Sequence, residues 1–358
     1  MKVLVFNWRD IKNPAAGGAE VYIHEIMRRM VRDGHAVTLF TAGFDGCKDR
    51  EVVDGVKIIR KGGRYSVYWE AYKAYKNEFK GKFDLVIDSI NTIPFFTPFY
   101  VKEKRMTFFY QLAKEFWFKS VLFPLSLAGY LVEPWYLKSY KKEKVITISE
   151  SSASDLKDLE FGDVPIVYPG IKCKPVAKIP KKEKDLTLIS FSRLVKPKRI
   201  DHVIRAFRLV NDEIPQSRLW ILSDGPEKKN LERLVRKLGL KNKVKFFGYV
   251  SEKKKYDLIR KAHFHLFCSV REGWGIVTVE AAANGTATVC YDVAGARDSC
   301  RKSGGFLVEQ DYRKLADKVL SLGDGYENVA SRCIEKSKEF DWEKSYRKFV
   351  RVLNEATG

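Results

Sequence analysis

Short apolar runs alternate along the chain with longer stretches whose apolar residues recur every three to four positions. The runs KVLVFN (residues 2–7), AVTLFT (36–41), 52–61, FDLVIDS (83–89), 106–110 and VITIS (145–149) read as strands buried on both faces, because polar positions do not alternate with apolar ones. Between them, residues 19–32 place Val21, Ile23, Ile26, Met27 and Met30 on one helical face, and 65–78 and 150–159 are also of helical spacing. IVYPG (166–170) ends this series. A second series begins beyond it: strands at 186–194, 244–250, HFHLFCS (263–269), ATVCYD (287–292) and 306–308, with 218–240 as strand, turn and helix. Helices are expected at 201–210, 253–262, 276–284 and 341–353. Alternating strands and helices predict an α/β protein with mainly parallel, doubly wound sheets. Residues 172–184 are rich in Lys and Pro and lack periodicity, so the linker is placed there, between domains 1–171 and 185–340.

A chain of 358 residues suits two domains, and 45% hydrophobic residues suffice for two cores. The formal net charge of +21 changes the picture more, since it implies an anionic partner: nucleic acid, a membrane surface or a phosphorylated substrate. The bases are scattered, with clusters at 172–184 and 196–199, and no nucleic-acid-binding motif accompanies them, so nucleic acid is set aside. Six cysteines without a C-x-x-C pair read as reduced thiols, which with the absence of a signal peptide before KVLVF predicts a cytoplasmic protein. The longest apolar stretch, 121–132, would span about 18 Å as a helix, short of a ~30 Å hydrocarbon core.

Four stretches carry candidate chemistry. The first is REGWGIVTVEAAANGT (271–286), lying between two predicted strands. Gly273 and Gly275 make its turn, and Ile276 opens a helix whose start offers amides and a positive dipole end to phosphate. Glu272 in the turn and Glu280 in the helix suit sugar hydroxyls beside those phosphates. On spacing alone, a solvated Glu272 and a Glu280 that merely complements the dipole are an equal reading. The second is the Gly17-Gly18 loop, an anion-cradling position after the first strand, although it is neither G-x-G-x-x-G nor a P-loop. The third is RLVKPKR, where Arg193 and Lys198 lie just past a strand end and suit a diphosphate; the neighbouring Lys196 and Arg199 read as a solvated basic loop. The fourth is residues 109–142, aromatic, interrupted by prolines and ending in bases, which reads either as a lipid-facing patch or as an insertion with core contacts of its own. The Tyr/Trp stripe of 65–78 is expected to be core. His263 and His265 alternate on one strand without a third ligand, so no metal site is predicted.

E-G-W-G-I-V-x-x-E-A-x-A-x-G-T resembles the EX7E signature of the family-4 retaining glycosyltransferases, which have the GT-B fold: two Rossmann-like domains facing a central cleft. The resemblance implies that Glu272 contacts the donor sugar and Glu280 the ribose, with Gly273, Trp274, Gly275, Ile276 and Val277 between them. It further implies that Arg193 and Lys198 neutralise the leaving diphosphate, as in a G-R-L-x-x-x-K-G segment, with Ser192 and Arg199 replacing its glycines. Gly225 falls in a G-D-G-P-like segment whose first Gly is here Ser223, and Val250 ends the strand near the nucleotide base. The resemblance also implies that the Gly17-Gly18 loop lies across the cleft from the donor diphosphate and near the acceptor. YQLAKEFW and GYLVEP are similar to a subgroup with H-Q-L-A-x-E-x-W; Tyr110 stands where that subgroup has a sugar-contacting His, and Gln111 offers a neutral hydrogen bond instead. The segment 341–358 is expected to cross back to the first domain.

The resemblance implies a retaining transfer of a sugar from a nucleotide-sugar donor, with no metal and no cofactor. Its acceptor would be a lipid-linked or cell-envelope glycan, at the inner face of the cell membrane. The basic charge and the aromatic segment favour that acceptor and an anionic membrane surface as partner. The competing readings are a soluble acceptor, another GT-B enzyme such as an epimerase or phosphorylase, and a non-catalytic sugar-nucleotide or membrane-binding protein.

Overall fold

The computed structural model describes residues 1–120, 122–323 and 325–357. Val121, the first residue of the longest apolar stretch, and Gly358, the last of the C-terminal segment, lie outside the described residues. The chain forms two compact units: 1–114, 124–170 and 341–358 in the first, 115–123 and 171–340 in the second.

The first unit runs β1 (Lys2–Phe6), α1 (Gly18–Arg32), β2 (Ala36–Thr41), β3 (Arg50–Val53), β4 (Val56–Arg60), α2 (Val67–Ala74), β5 (Leu85–Ile90) and β6 (Lys104–Phe109). The short α3 (Trp117–Ser120) belongs to the second unit, after which α4 (Leu125–Leu137), β7 (Lys144–Thr147) and α5 (Glu150–Asp158) complete this part of the first. Its sheet has the order β3-β4-β2-β1-β5-β6-β7, parallel except for β3 against β4. The single strand expected over 52–61 is a hairpin. Asp54 and Gly55 both adopt positive φ, the conformation of a tight two-residue turn between antiparallel strands. The helix expected over 65–78 starts as α2 and widens into a π-helical turn, Tyr75–Phe79. The Tyr/Trp stripe expected to be core divides: Tyr75 is core, Tyr68 and Tyr72 are half-buried, and Tyr65 and Trp69 face outward. Ser149 caps α5, its hydroxyl accepting from the Ser152 amide at 3.2 Å.

The second unit continues with β8 (Thr187–Phe191), α6 (Ile200–Glu213), β9 (Arg218–Leu222), α7 (Lys228–Lys237), β10 (Val244–Gly248), α8 (Glu252–Lys261), β11 (Phe264–Phe267), α9 (Ile276–Ala283), β12 (Ala287–Tyr291), α10 (Ala296–Lys302), β13 (Phe306–Val308), α11 (Tyr312–Leu322) and α12 (Tyr326–Ser337). The sheet order β10-β9-β8-β11-β12-β13 is parallel throughout. Helices cover both faces. Leu188 packs with Val203, Phe207 and Leu231 on one, and its neighbour Ile189 with Leu258, Ile259 and Ala281 on the other. The order reverses beside β8, so the loops after β8 and β11 diverge at a switch point, where α/β proteins bind ligands.

The Lys- and Pro-rich stretch 172–184 packs on the second unit rather than hanging free. The Val176 amide donates to Ala283 O at 2.8 Å, and the buried Lys182 donates to Gly285 O at 2.7 Å and Thr286 Oγ1 at 3.0 Å. The final helix, α13 (Trp342–Thr357), counts with the first unit, where Phe349 stacks on Phe108 at 5.5 Å between ring centroids. No described helix is long and apolar enough to cross a membrane.

Candidate functional site

The turn after β11 is set by close backbone packing. Gly275 caps α9 with φ +90°, and a Cβ there would meet Ser299 Oγ at 3.1 Å and Phe267 Cε1 at 3.2 Å. Glu272 enters this turn with its amide donating to Ala294 O at 3.1 Å. Gly295 lies against it so closely that a Cβ would stand 2.0 Å from Glu272 O. Ala294 and Gly295 therefore position Glu272, although nothing in their composition marks them as part of a site.

Two cations arrive from the loop after β8. Lys198 forms an ion pair with Glu272, and its ammonium lies 5.6 Å from the Phe267 ring centroid. Its loop is tied down from both sides: the Val270 amide donates to Pro197 O at 2.9 Å, and the Leu194 amide to Asp224 O at 3.0 Å. Gly225 serves this contact, since a Cβ at that position would come within 2.5 Å of Leu194 O. Arg193 sits in the same loop, half-buried. Arg199 and Ser223, which stand where the resembling segments have glycine, keep the left-handed backbone of a glycine, at φ +48° and +87°.

Glu280 is the fifth residue of α9 and is buried. Its reason for pointing inward is Lys255 of α8, which donates to Oε1 at 2.8 Å, with the Tyr256 hydroxyl at 3.4 Å. Burial, then the Glu280 charge, pushes the Cys173 thiol up to about 11 and holds the Tyr256 hydroxyl well above its ordinary range. Val250 and Val277 pack in the same cluster as Tyr256, so this end joins an apolar wall to a paired carboxylate. Sequence reasoning missed Lys255, Tyr256 and Cys173. Trp274 is buried against Phe340, ring centroids 5.6 Å apart, and so acts as an anchor of the turn. Arg271 reaches Glu115, at 3.4 Å, which brings one end of the aromatic segment into the unit that carries Glu272.

The remaining candidates lie in the first unit. Gly17 is the N-cap of α1; its amide already donates to Glu20 Oε2 at 2.6 Å, and Arg9 Nε donates to the other oxygen at 3.0 Å. A carboxylate thus occupies the amide that the anion-cradle reading assigned to phosphate, while a Cβ on Gly18 would meet open space. Tyr110 is buried, its hydroxyl hydrogen-bonded to Ser89 at 3.1 Å and its ring edge-on to Tyr22 at 5.8 Å. Burial keeps that phenol protonated, far above its usual range. Tyr110 is therefore core in this structure. Gln111 Oε1 is buried without a hydrogen-bond partner among the described residues. That makes Gln111 the better candidate to meet a ligand hydroxyl.

His265 is buried between Phe191 and Phe267, and burial pushes its pKa down to about 3, so it is a neutral core residue. Among the described residues no three His, Cys, Asp or Glu side chains are grouped to hold a metal ion. A cavity of about 650 Å³ opens beside the β8 loop, lined by Lys196, Arg199, His202, Glu227, Asn230 and Gln310 among others.

Comparison with known proteins bears on this arrangement. Residues 16–174 match the family model Glycosyltransferase Family 4, and residues 174–340 match Glycosyl transferases group 1. The chain is 26% identical over 323 residues to an uncharacterized glycosyltransferase of Methanocaldococcus jannaschii, covering 82% of this chain and 81% of that protein. It is 22% identical to the GDP-mannose:cellobiosyl-diphosphopolyprenol alpha-mannosyltransferase of Komagataeibacter xylinus, covering 97% and 91%. Among solved structures, a sucrose-phosphate synthase from Thermosynechococcus elongatus superposes with a TM-score of 0.79 at 18% identity, covering 99% of this chain and 98% of that one, a likeness of fold. The two family matches meet at residue 174 and together with the fold support one placement: the chain is a glycosyltransferase of the family-4, GT-B type.

Proposed function

We propose that this glycosyltransferase moves a sugar, with retention of anomeric configuration, from a nucleotide-diphosphate sugar to a hydroxyl of a lipid-linked or cell-envelope glycan at the inner face of the cell membrane. The observation that carries the reading is the ion pair between Lys198 and Glu272 at the start of α9. It joins the cationic loop after β8 to a carboxylate beside a helix N-terminus, which is the pairing that a sugar diphosphate requires. In this reading the diphosphate takes Lys198 and Arg193 as counter-ions, the α9 amides past Gly275 hold its oxygens, and Glu272 is released to orient the sugar. Glu280, held by Lys255, accepts from the ribose hydroxyls, and Val250 and Val277 flank the base. As the bond from the anomeric carbon to the phosphate oxygen breaks, negative charge grows on the diphosphate. The acceptor oxygen adds on the same face, and its proton passes to the departing phosphate, so no side chain is assigned as general base. Arg193 and Lys198 supply the charge stabilisation, so neither a metal nor another cofactor is invoked.

The acceptor class is supported by the relative from Komagataeibacter xylinus, whose name specifies GDP-mannose and a diphosphopolyprenol-linked acceptor. The test is a thermal-shift panel of UDP-, GDP- and ADP-sugars on wild type and Glu280→Ala, then turnover of Glu272→Ala and Arg193→Ala. Stabilisation by one nucleotide class, reduced in Glu280→Ala, with turnover lost in the other two variants at unchanged folding, is expected. A folded protein that no nucleotide sugar stabilises would overturn the donor assignment.

A further inference from the structure

Helix α4 is built inside out for a helix on a water-exposed surface. Its 13 residues, LSLAGYLVEPWYL, contain one ionisable carboxylate, Glu133. That carboxylate is turned inward, accepting from the backbone amides of Ala113 at 2.6 Å and Lys114 at 2.9 Å. The outward face is left to Leu125, Leu127, Tyr130, Leu131, Val132 and Trp135, all exposed. A surface helix ordinarily does the reverse.

The same face of the sheet carries a second exposed aromatic element. Val86 and Ile90 project to one side of β5 and support, respectively, the cluster under α2 and the cluster under α4. Aromatic contacts join the two helices across the intervening loop. Trp69 stacks on Tyr72, and Tyr72 meets Tyr100; on the other side Phe96 meets both Phe99 and Tyr136, at centroid distances of 5.2 to 6.4 Å. Tyr65, Trp69, Phe99, Leu125, Leu131 and Trp135 are each 60–76% exposed along this band. Cations border it: Arg64 over Tyr65, Lys73 over Trp69, Lys76 over Tyr72, and Lys138 and Lys142 past the end of α4. The carboxylate of Glu70 is paired with Lys73 at 2.5 Å, and that of Glu78 with Arg50 and Lys61.

We propose that the outward faces of α2 and α4, with Phe99 between them, form one surface that seats this unit on an anionic lipid bilayer. The chemistry selects that occupant. Large apolar and aromatic side chains suit the acyl and headgroup boundary, and the bordering Lys and Arg suit anionic headgroups. A 13-residue helix is about 20 Å long, too short to cross a bilayer core of ~30 Å, so α4 lies in the plane of the interface. The proposal does not require the acceptor to be lipid-linked. Arg193, Lys198, Glu272 and Glu280, assigned to the diphosphate, sugar and ribose, lie in the other unit, so nucleotide binding without vesicles remains an independent control.

The experiment is co-sedimentation with phosphatidylcholine vesicles, with and without phosphatidylglycerol, at low and high salt. Wild type is expected to pellet with the anionic vesicles and to be released by salt. Leu131→Glu/Trp135→Glu, at exposed positions, should lose roughly tenfold in affinity with an unchanged melting temperature, while Lys229→Ala/Lys241→Ala, equal in net charge, should bind as wild type. Quenching of Trp fluorescence by brominated lipid, reduced in Trp135→Phe, would place that ring at the bilayer. Wild type that stays in the supernatant, or equal binding by the Leu131→Glu/Trp135→Glu variant, would overturn the proposal. So would concentration-dependent self-association without vesicle binding, abolished by that variant, which would make the face an interface between copies.

Discussion

Substituting Gly295 by alanine tests whether the loop after β12 sets the position of Glu272. The substitution carries two penalties that can be separated. Gly295 has φ +75° and ψ −51°, a positive-φ backbone outside the αL well that costs an L-residue at least about 1–2 kcal/mol. In addition its Cβ would stand 2.0 Å from Glu272 O and 2.6 Å from Glu272 C. An ordinary contact needs about 3.4 Å, so the Glu272 backbone must retreat by roughly 1.4 Å or the loop must open. A displacement of about 1 Å can cost roughly a hundredfold where catalytic geometry is preorganised. Gly239→Ala is the control for a positive φ, at +71°, since its Cβ would meet only Arg208 Nη1 at 3.8 Å. The assays are melting temperature and the Kd of whichever nucleotide sugar stabilises the wild type. Gly239→Ala should lower stability by about 1–2 kcal/mol, or ~2–8 °C, with Kd unchanged. Gly295→Ala should lose more than that and weaken donor binding at least tenfold. Equal melting and equal Kd in the two variants would refute the positioning role.

Ser223→Gly should raise stability by about 0.5–1 kcal/mol in calorimetry, because the φ of +87° is strained for serine, while the amide bond to Gly248 O at 2.7 Å is kept. Asp88 is buried with its carboxylate accepting from Phe95, Thr97 and Tyr140; burial outweighs these donors and lifts its pKa to about 6. A folded pKa above the unfolded one favours the native state at low pH. Its contribution is full below about pH 4 and is lost as pH rises to about 6, by roughly 3 kcal/mol for a shift of this size. Urea midpoints of wild type against Asp88→Asn should therefore diverge between those pH values, and parallel curves would contradict the assignment.

The alternation of strands and helices was readable because parallel strands, covered on both faces, are written as unbroken apolar runs such as KVLVF and TLISF. The hairpin at Asp54-Gly55 was missed although its turn signal was present, because the runs on either side merge into one apolar stretch. Arg199 and Ser223 looked like departures from glycine positions; the structure holds both in the left-handed conformation, so residue identity changed where backbone geometry did not. Tyr110 could be placed at a strand end, but only the hydrogen bond to Ser89 and the contact with Tyr22 show that its ring is spent on the core.

By itself the sequence determined the fold class, the turn that presents Glu272 and the basic loop of Arg193 and Lys198, since each is a local pattern of composition and spacing. The tertiary structure decided which groups meet. Lys255 is one of three successive lysines, and only the packing of α8 beside α9 turns its ammonium onto Glu280. Gly295 acts on Glu272 across 23 residues of chain through a backbone contact that no local preference encodes. Helix α4 has no one-sided pattern of charge, and its orientation shows only in the fold, where Glu133 faces inward and accepts from two backbone amides. Contacts between segments distant in sequence depend on how the layers stack, and so they are absent from any local window of the chain.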